Sequence, residues 1–149
     1  FLYATACYLV CDTASGMLRW ANAGHPVPIH LPAAGKACWL TDHPALRGPA
    51  LAVDAAAAYT TMEGRIRPGE AVFMYTDGIY EAAADDGEEF GEDRLLAAAA
   101  RHRAKPLADL FPALIGAARA FAAHPDFADD ICLVGLECPA EAGGGGTPA

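Results

Sequence analysis

Apolar and polar residues alternate, or apolar residues run in short unbroken bursts, through the first half of the chain; helical spacing takes over only after position 92. Residues 3–11 read as a mostly buried strand. Asp12-Thr13-Ala14-Ser15-Gly16 has turn chemistry, Asp opening and Gly closing it, and 17–23 alternates as a returning strand. Gly24-His25-Pro26 interrupts the pattern, 27–31 resumes it, and a turn over 32–35 leads to a short strand at 37–40. The stretch 41–52, with Pro44, Gly48 and Pro49, reads as loop. Residues 56–63 mix alanines with Tyr59-Thr60-Thr61-Met62 and are assigned to a strand. Arg67-Pro68-Gly69-Glu70 turns into the apolar run Ala71-Val72-Phe73-Met74-Tyr75, which ends at Thr76-Asp77-Gly78.

An acidic segment, 81–91, precedes a helix expected over 92–103, whose first-turn carboxylates suit the helix dipole. Pro106 separates it from a second helix over 107–122. There Leu107, Leu110, Phe111, Leu114, Ile115 and Ala118 form a core-facing stripe. His124-Pro125-Asp126-Phe127 ends that helix, and a final strand follows Asp129-Asp130. Residues 1–138 are expected to form one unit, and 139–149, with Gly143-Gly144-Gly145-Gly146, a disordered tail. Antiparallel strands, then two helices, then a closing strand make an α+β pattern rather than a βαβ repeat.

The chain has 149 residues and is 54% hydrophobic and 19% charged, enough for one globular core. Its net charge of -9 argues against a nucleic-acid surface, which needs clustered Lys and Arg; Lys36 and Lys105 are the lysines present. The same acidity suits either a site that concentrates divalent cations or an ordinary solvated surface. Five cysteines, Cys7, Cys11, Cys38, Cys132 and Cys138, lack C-x-x-C spacing and read as reduced small hydrophobes. No membrane span or signal peptide is legible, so a cytoplasmic location is expected. The chain opens at Phe1 inside an apolar pattern and reads as cut from something longer.

Two acidic turns carry the candidate chemistry. Asp77-Gly78 ends one buried strand, and Asp129-Asp130 begins another. An Asp-Gly after a strand often only opens a turn. Two such carboxylates brought together, however, make a hard-oxygen site for Mg²⁺ or Mn²⁺ of the kind that handles phosphate esters. Asp130 is open to three roles: ligand, hydrogen-bond acceptor behind the ligands, or solvated neighbour. In Asn22-Ala23-Gly24-His25-Pro26, His25 is a proton donor, a phosphate contact or a structural residue, and Asn22 a site neighbour or a turn-former. Ser15, the sole serine, lies in a hairpin turn, which excludes a serine nucleophile in G-x-S-x-G; no P-loop and no H-E-x-x-H occur.

Four elements in order, Asn22-Ala23-Gly24-His25, Thr76-Asp77-Gly78, Phe90-Gly91 with Arg94-Leu95, and Asp129-Asp130, resemble the PPM-type metal-dependent serine/threonine phosphatases. The likeness is to the bacterial branch of stage II sporulation protein E and the regulators of sigma factors. It implies an α-β-β-α sandwich of two antiparallel sheets flanked by helices, and a site for two Mn²⁺ or Mg²⁺ ions. Asp77 and Asp129 match the family's ligands of the first metal, with Gly78 and Asp130 adjacent. The resemblance also implies a phosphorylated anti-sigma-factor antagonist as substrate and an upstream sensory domain as controller.

Two departures accompany the likeness. The family's earlier Asp-Gly element, whose Asp bridges both metals, has no match here, so the fold is expected to be incomplete on its N-terminal side and the piece alone to bind metal weakly and turn over little. Gly48-Pro49-Ala50-Leu51-Ala52 ends in Ala where the branch has Gly. Two rivals stand beside the enzyme: a non-catalytic docking module that keeps the fold, and an aspartyl-phosphate chemistry at Asp77, which would want Asp-x-Asp-Gly where Tyr75 stands.

Overall fold

Strand β1 (Ala6–Asp12) and strand β2 (Met17–Ala23) form the expected hairpin, in register from Ala6 opposite Ala23 to Asp12 opposite Met17. The turn is set by Asp12, whose Oδ1 accepts from the Ala14 N–H at 2.9 Å and whose Oδ2 accepts from the Ser15 hydroxyl at 2.8 Å. The computed structural model describes residues 3–41, 46–124 and 126–140. Phe1, Leu2, Pro44, Pro125 and the glycine-rich segment from 141 onward lie outside the described residues.

Strand β5 (Met62–Arg65) joins the hairpin beside β2, giving the order β1-β2-β5. A second antiparallel sheet has the order β4-β3-β6-β7, from β3 (Ile29–Leu31), β4 (Cys38–Trp39), β6 (Ala71–Tyr75) and β7 (Leu133–Glu137). Helices α1 (Gly91–His102) and α2 (Leu107–Phe121) fall within a residue or so of their expected bounds. The α+β expectation of two antiparallel sheets with flanking helices therefore holds. Among the described residues both helices pack on the four-stranded sheet, and the outer face of the three-stranded sheet exposes Tyr8 and Val10.

Strand β6 shows how alternation builds two cores. Ala71, Phe73 and Tyr75 point toward the helices and pack with Leu95, Leu110, Leu114 and Ala118. Val72 points the other way and packs between the sheets with Leu18, Trp20, Met62 and Ile66. The α2 stripe is buried as its spacing requires: Leu110, Leu114 and Ala118 are fully covered. The first turn of α2 is capped from another element, since the Leu107 N–H donates to Glu137 Oε1 at 2.8 Å.

The strand expected over 56–63 is shorter and later. Only Met62–Arg65 pairs with β2, Met62 lying opposite Trp20. Upstream, Asp54 closes a turn: its Oδ1 accepts from the Ala56 N–H at 2.8 Å and its carbonyl from the Ala57 N–H at 3.2 Å. This local bonding competes with a sheet ladder. Strand β1 likewise starts at Ala6 rather than residue 3, and β7 starts at Leu133. The five cysteines are thiols rather than disulfides, with Cys7, Cys11 and Cys138 half-buried. No described helix is long and apolar enough to cross a membrane.

Ala52 is the described non-glycine residue at positive φ, 65°, at the position where the phosphatase resemblance leads one to expect glycine. An L-side chain there is strained by about 1–2 kcal/mol, offset in part by the roughly 0.5–1 kcal/mol entropy penalty of glycine. Ala52→Gly is therefore expected to raise the urea-unfolding midpoint with an unchanged m-value, a gain of up to about 1 kcal/mol. A lower midpoint would show that the Ala52 methyl contributes packing that outweighs its backbone strain.

Candidate functional site

Asp77 and Asp129 sit at the same end of neighbouring strands. β6 and β7 pair from Ala71 opposite Glu137 to Tyr75 opposite Leu133, so the chain leaving β6 and the chain entering β7 meet beyond that last pair. Thr76 fastens them. Its N–H donates to the Cys132 carbonyl at 3.0 Å, its hydroxyl donates to the Asp130 carbonyl at 3.1 Å, and the Cys132 N–H donates to the same hydroxyl at 2.9 Å. Sequence reasoning assigned Thr76 no role; its place directly before Asp77 was the available signal.

Past Thr76 the chain turns at once into a 3-10 turn, Asp77–Ile79, with Gly78 and Ile79 buried. The Asp77 carbonyl accepts from the Tyr80 and Glu81 N–H groups at 2.9 and 3.0 Å, which fixes the backbone that carries the carboxylate. Gly78 lies flat on the acidic pair: a Cβ there would stand 2.7 Å from the Asp130 carbonyl oxygen and 3.1 Å from that of Asp129. Only glycine admits such an approach of two backbones.

The carboxylates of Asp77, Asp129 and Asp130 are all exposed, and the Asp130 N–H donates to Asp129 Oδ1 at 2.7 Å. The charges of Asp77 and Asp129 both reach Glu81. Loss of hydration pushes its carboxyl above the usual range, and the negative charges of Asp77, Glu89 and Asp129 push it the same way. Sequence reasoning did not single out Glu81. Among the described residues, no group of three or more His, Cys, Asp or Glu side chains is placed to hold a metal ion. The carboxylates carried to this end of the sheet are oxygen donors of the hard type that Mg²⁺ and Mn²⁺ take.

Asn22 proves to be a turn-former. It is buried, its Oδ1 accepts from the His25 N–H at 2.8 Å, and its Nδ2 donates to the His25 carbonyl at 2.9 Å. The loop with the altered glycine motif lies against this turn: the Gly24 N–H donates to the Arg47 carbonyl at 3.0 Å, and the Leu51 N–H to Ala4 at 2.8 Å. His25 is half-buried, with Nδ1 3.2 Å from the Thr5 hydroxyl. Burial lowers its pKa; the Asp77 charge opposes this and Arg47 adds to it, so the ring is neutral near pH 7. A neutral ring offers one donor and one acceptor rather than an acidic proton.

His25, Thr5, Cys7, Thr76 and Cys132 line a cavity of about 270 Å³ beside the acidic turns. A larger one, about 490 Å³, opens beyond Tyr80, between Arg47 and the first turn of α1. Tyr80, whose N–H donates to the Asp77 carbonyl, is part of its lining. Burial first, then the charges of Glu92, Asp77 and Glu81, push its phenol up to about 12, so it remains a hydrogen-bond donor.

The sequence pattern of the stage II sporulation protein E (SpoIIE) family matches residues 1–139. Protein IcfG of Synechocystis is 33% identical over 95 residues, 64% of this chain and 14% of IcfG. Among solved structures, the RsbU and RsbW domains of Rv1364c from Mycobacterium tuberculosis superpose with a TM-score of 0.72 at 24% identity, covering 91% of this chain and 36% of that one. The phosphatase domain of the cell-fate determinant SpoIIE from Bacillus subtilis, presoaked with Mn, gives 0.65 at 12% identity, covering 98% and 59%. The chain thus spans less than two thirds of the length of each. Fold, motif order and a pattern that runs through almost every residue agree: the chain belongs to the SpoIIE family, a branch of the PPM-type phosphatases.

Proposed function

We propose that the protein of which this chain is part is a metal-dependent serine/threonine phosphatase, acting on phosphoserine or phosphothreonine of a regulatory partner. One observation carries the reading: the Thr76 clasp, with Gly78 seated on the acidic pair, brings the Asp77 and Asp129 turns together in a chain of this family. Asp77 and Asp129 would hold a Mn²⁺ or Mg²⁺ ion, with Asp130 adjacent. Bound metal supplies charge neutralisation of a phosphoryl group and acidification of a water. The chain's own residues do the rest: Thr76 and Gly78 fix the spacing of the two turns, and the Tyr80 and Glu81 amides hold Asp77 in place.

The family suggests a phosphorylated anti-sigma-factor antagonist as the partner, a cytoplasmic setting and a sensory domain in control. Residues 1–138 would be part of the phosphatase domain, with 139–149 as tail. The test is phosphate release from a phosphoserine-bearing protein of that class by the full-length enzyme. Release is expected with Mn²⁺ and should stop on chelation. A full-length protein that binds the phosphoprotein yet releases nothing with Mn²⁺ present would favour the docking module instead.

A further inference from the structure

We propose that Arg47 is the residue that receives the substrate's phosphoryl group, at the cavity it lines with Tyr80 and the first turn of α1. This rests on the phosphatase reading and names a contact it lacks. A phosphate ester dianion that approaches Asp77, Glu81, Glu89 and Asp129 is repelled by each of them. A metal offsets part of that charge, and a fixed cation on the open side would set the orientation of the ester.

Two arginines border the cavity of about 490 Å³, and they differ in what they already hold. Arg94 is committed to the fold. It donates to the Glu89 and Phe90 carbonyls and to the Glu88 carboxylate, and its guanidinium lies over the Phe121 ring. Arg47 is tethered at one atom, its Nε donating to the His25 carbonyl at 3.0 Å. Its Nη2 stands 3.9 Å from Glu92 Oε1, beyond hydrogen-bond distance, and its side chain is 37% exposed.

The geometry links Arg47 to the acidic turns on two sides. Through its Nε it holds the His25 backbone, and His25 borders the smaller cavity with Thr76 and Cys132. Across the larger cavity it faces Tyr80, whose N–H donates to the Asp77 carbonyl at 2.9 Å. The charges of Arg47 and Asp77 both act on His25 and on Tyr80. A guanidinium anchored at Nε presents its Nη edge to an incoming oxyanion with little reorganisation. The Tyr80 phenol, lining the same cavity, adds a neutral donor.

The test uses the full-length protein with Mn²⁺, a phosphoserine peptide as substrate and inorganic phosphate as product inhibitor. Arg47→Gln is expected to raise both KM and the phosphate inhibition constant about tenfold, the value of one charge-assisted contact, with a smaller change in kcat. Arg47→Lys keeps the charge but not the bond to His25, and should recover most of the phosphate binding. Glu92→Gln removes the negative charge 3.9 Å from Arg47 Nη2 and should bind phosphate at least as tightly as the parent. The inference is overturned if Arg47→Gln leaves both constants within about twofold of the parent. It is also overturned if Arg47→Lys or Glu92→Gln weakens phosphate binding as much as Arg47→Gln, because the arginine would then act by bracing the loop. Should the parent release no phosphate from any peptide, the phosphatase reading fails. Calorimetric titration of the same variants with inorganic phosphate still decides the role of Arg47.

Discussion

Asp77→Asn in the full-length protein is expected to lower Mn²⁺-dependent hydrolysis of a phosphoserine substrate by more than about 100-fold, past the loss typical of residues that only orient a metal ligand. Asparagine has the same shape, and the bonds that set this turn come from the backbone: the Asp77 carbonyl still accepts from Tyr80 and Glu81. Fold and clasp should survive, so the loss reports the missing charge. A second readout separates this from unfolding. In the metal-free protein Asp77 holds the His25 pKa up against burial and Arg47. Its removal should therefore shift the His25 titration to lower pH, while the Glu81 carboxyl, now relieved of a neighbouring charge, moves down toward its ordinary range. Near-parental turnover in Asp77→Asn would remove this side chain from the site. An unmoved His25 titration would show that the two are not in electrostatic contact.

Much of this arrangement was legible in the residues, for identifiable reasons. The hairpin at Asp12 and the two helices are local: turn chemistry and an apolar stripe at helical spacing specify them without reference to the rest of the chain. Asp77 and Asp129 were visible because each adjoins an apolar run; β6 is buried as expected, whereas β7, read as another buried strand, leaves Val134 and Leu136 exposed. What was not legible depends on contacts distant in sequence. Thr76 reads as an ordinary polar residue until Asp130 and Cys132 stand beside it. Arg47 sits in a loop with no pattern of its own, and its position follows from the Asn22 turn that it leans on. Tyr59-Thr60-Thr61 has strand propensity, but β2 offers partners only from Met62 onward, and the Asp54 turn draws the upstream residues away. Ala52 shows the reverse case: the motif expects glycine, and the backbone takes the glycine conformation with alanine in place.

Gly78→Ala tests the clasp itself, and it should damage the site from the backbone side. Gly78 has no positive φ, so alanine suffers no backbone penalty of the left-handed kind; what it meets is the Asp129-Asp130 backbone at 3.1 and 2.7 Å. Those atoms belong to the main chain and cannot rotate aside as a side-chain tip would. The added methyl must therefore part the two turns, at a penalty of about 1–3 kcal/mol, the range for an added methyl in a close-packed place. The Thr76 hydroxyl would lose its bonds to Asp130 and Cys132 in the same movement. Thermal unfolding should drop by several degrees. The Mn²⁺ concentration for half-maximal activity should rise, although every candidate ligand is still present. Thr76→Val supplies the comparison, since it removes the same hydroxyl bonds without adding bulk against Asp130. It should raise the Mn²⁺ requirement in the same direction but by less. If Gly78→Ala is as stable as the parent and needs no more Mn²⁺, the two acidic turns do not depend on this contact for their spacing, and the closeness of Asp77 to Asp129 must be set elsewhere in the fold.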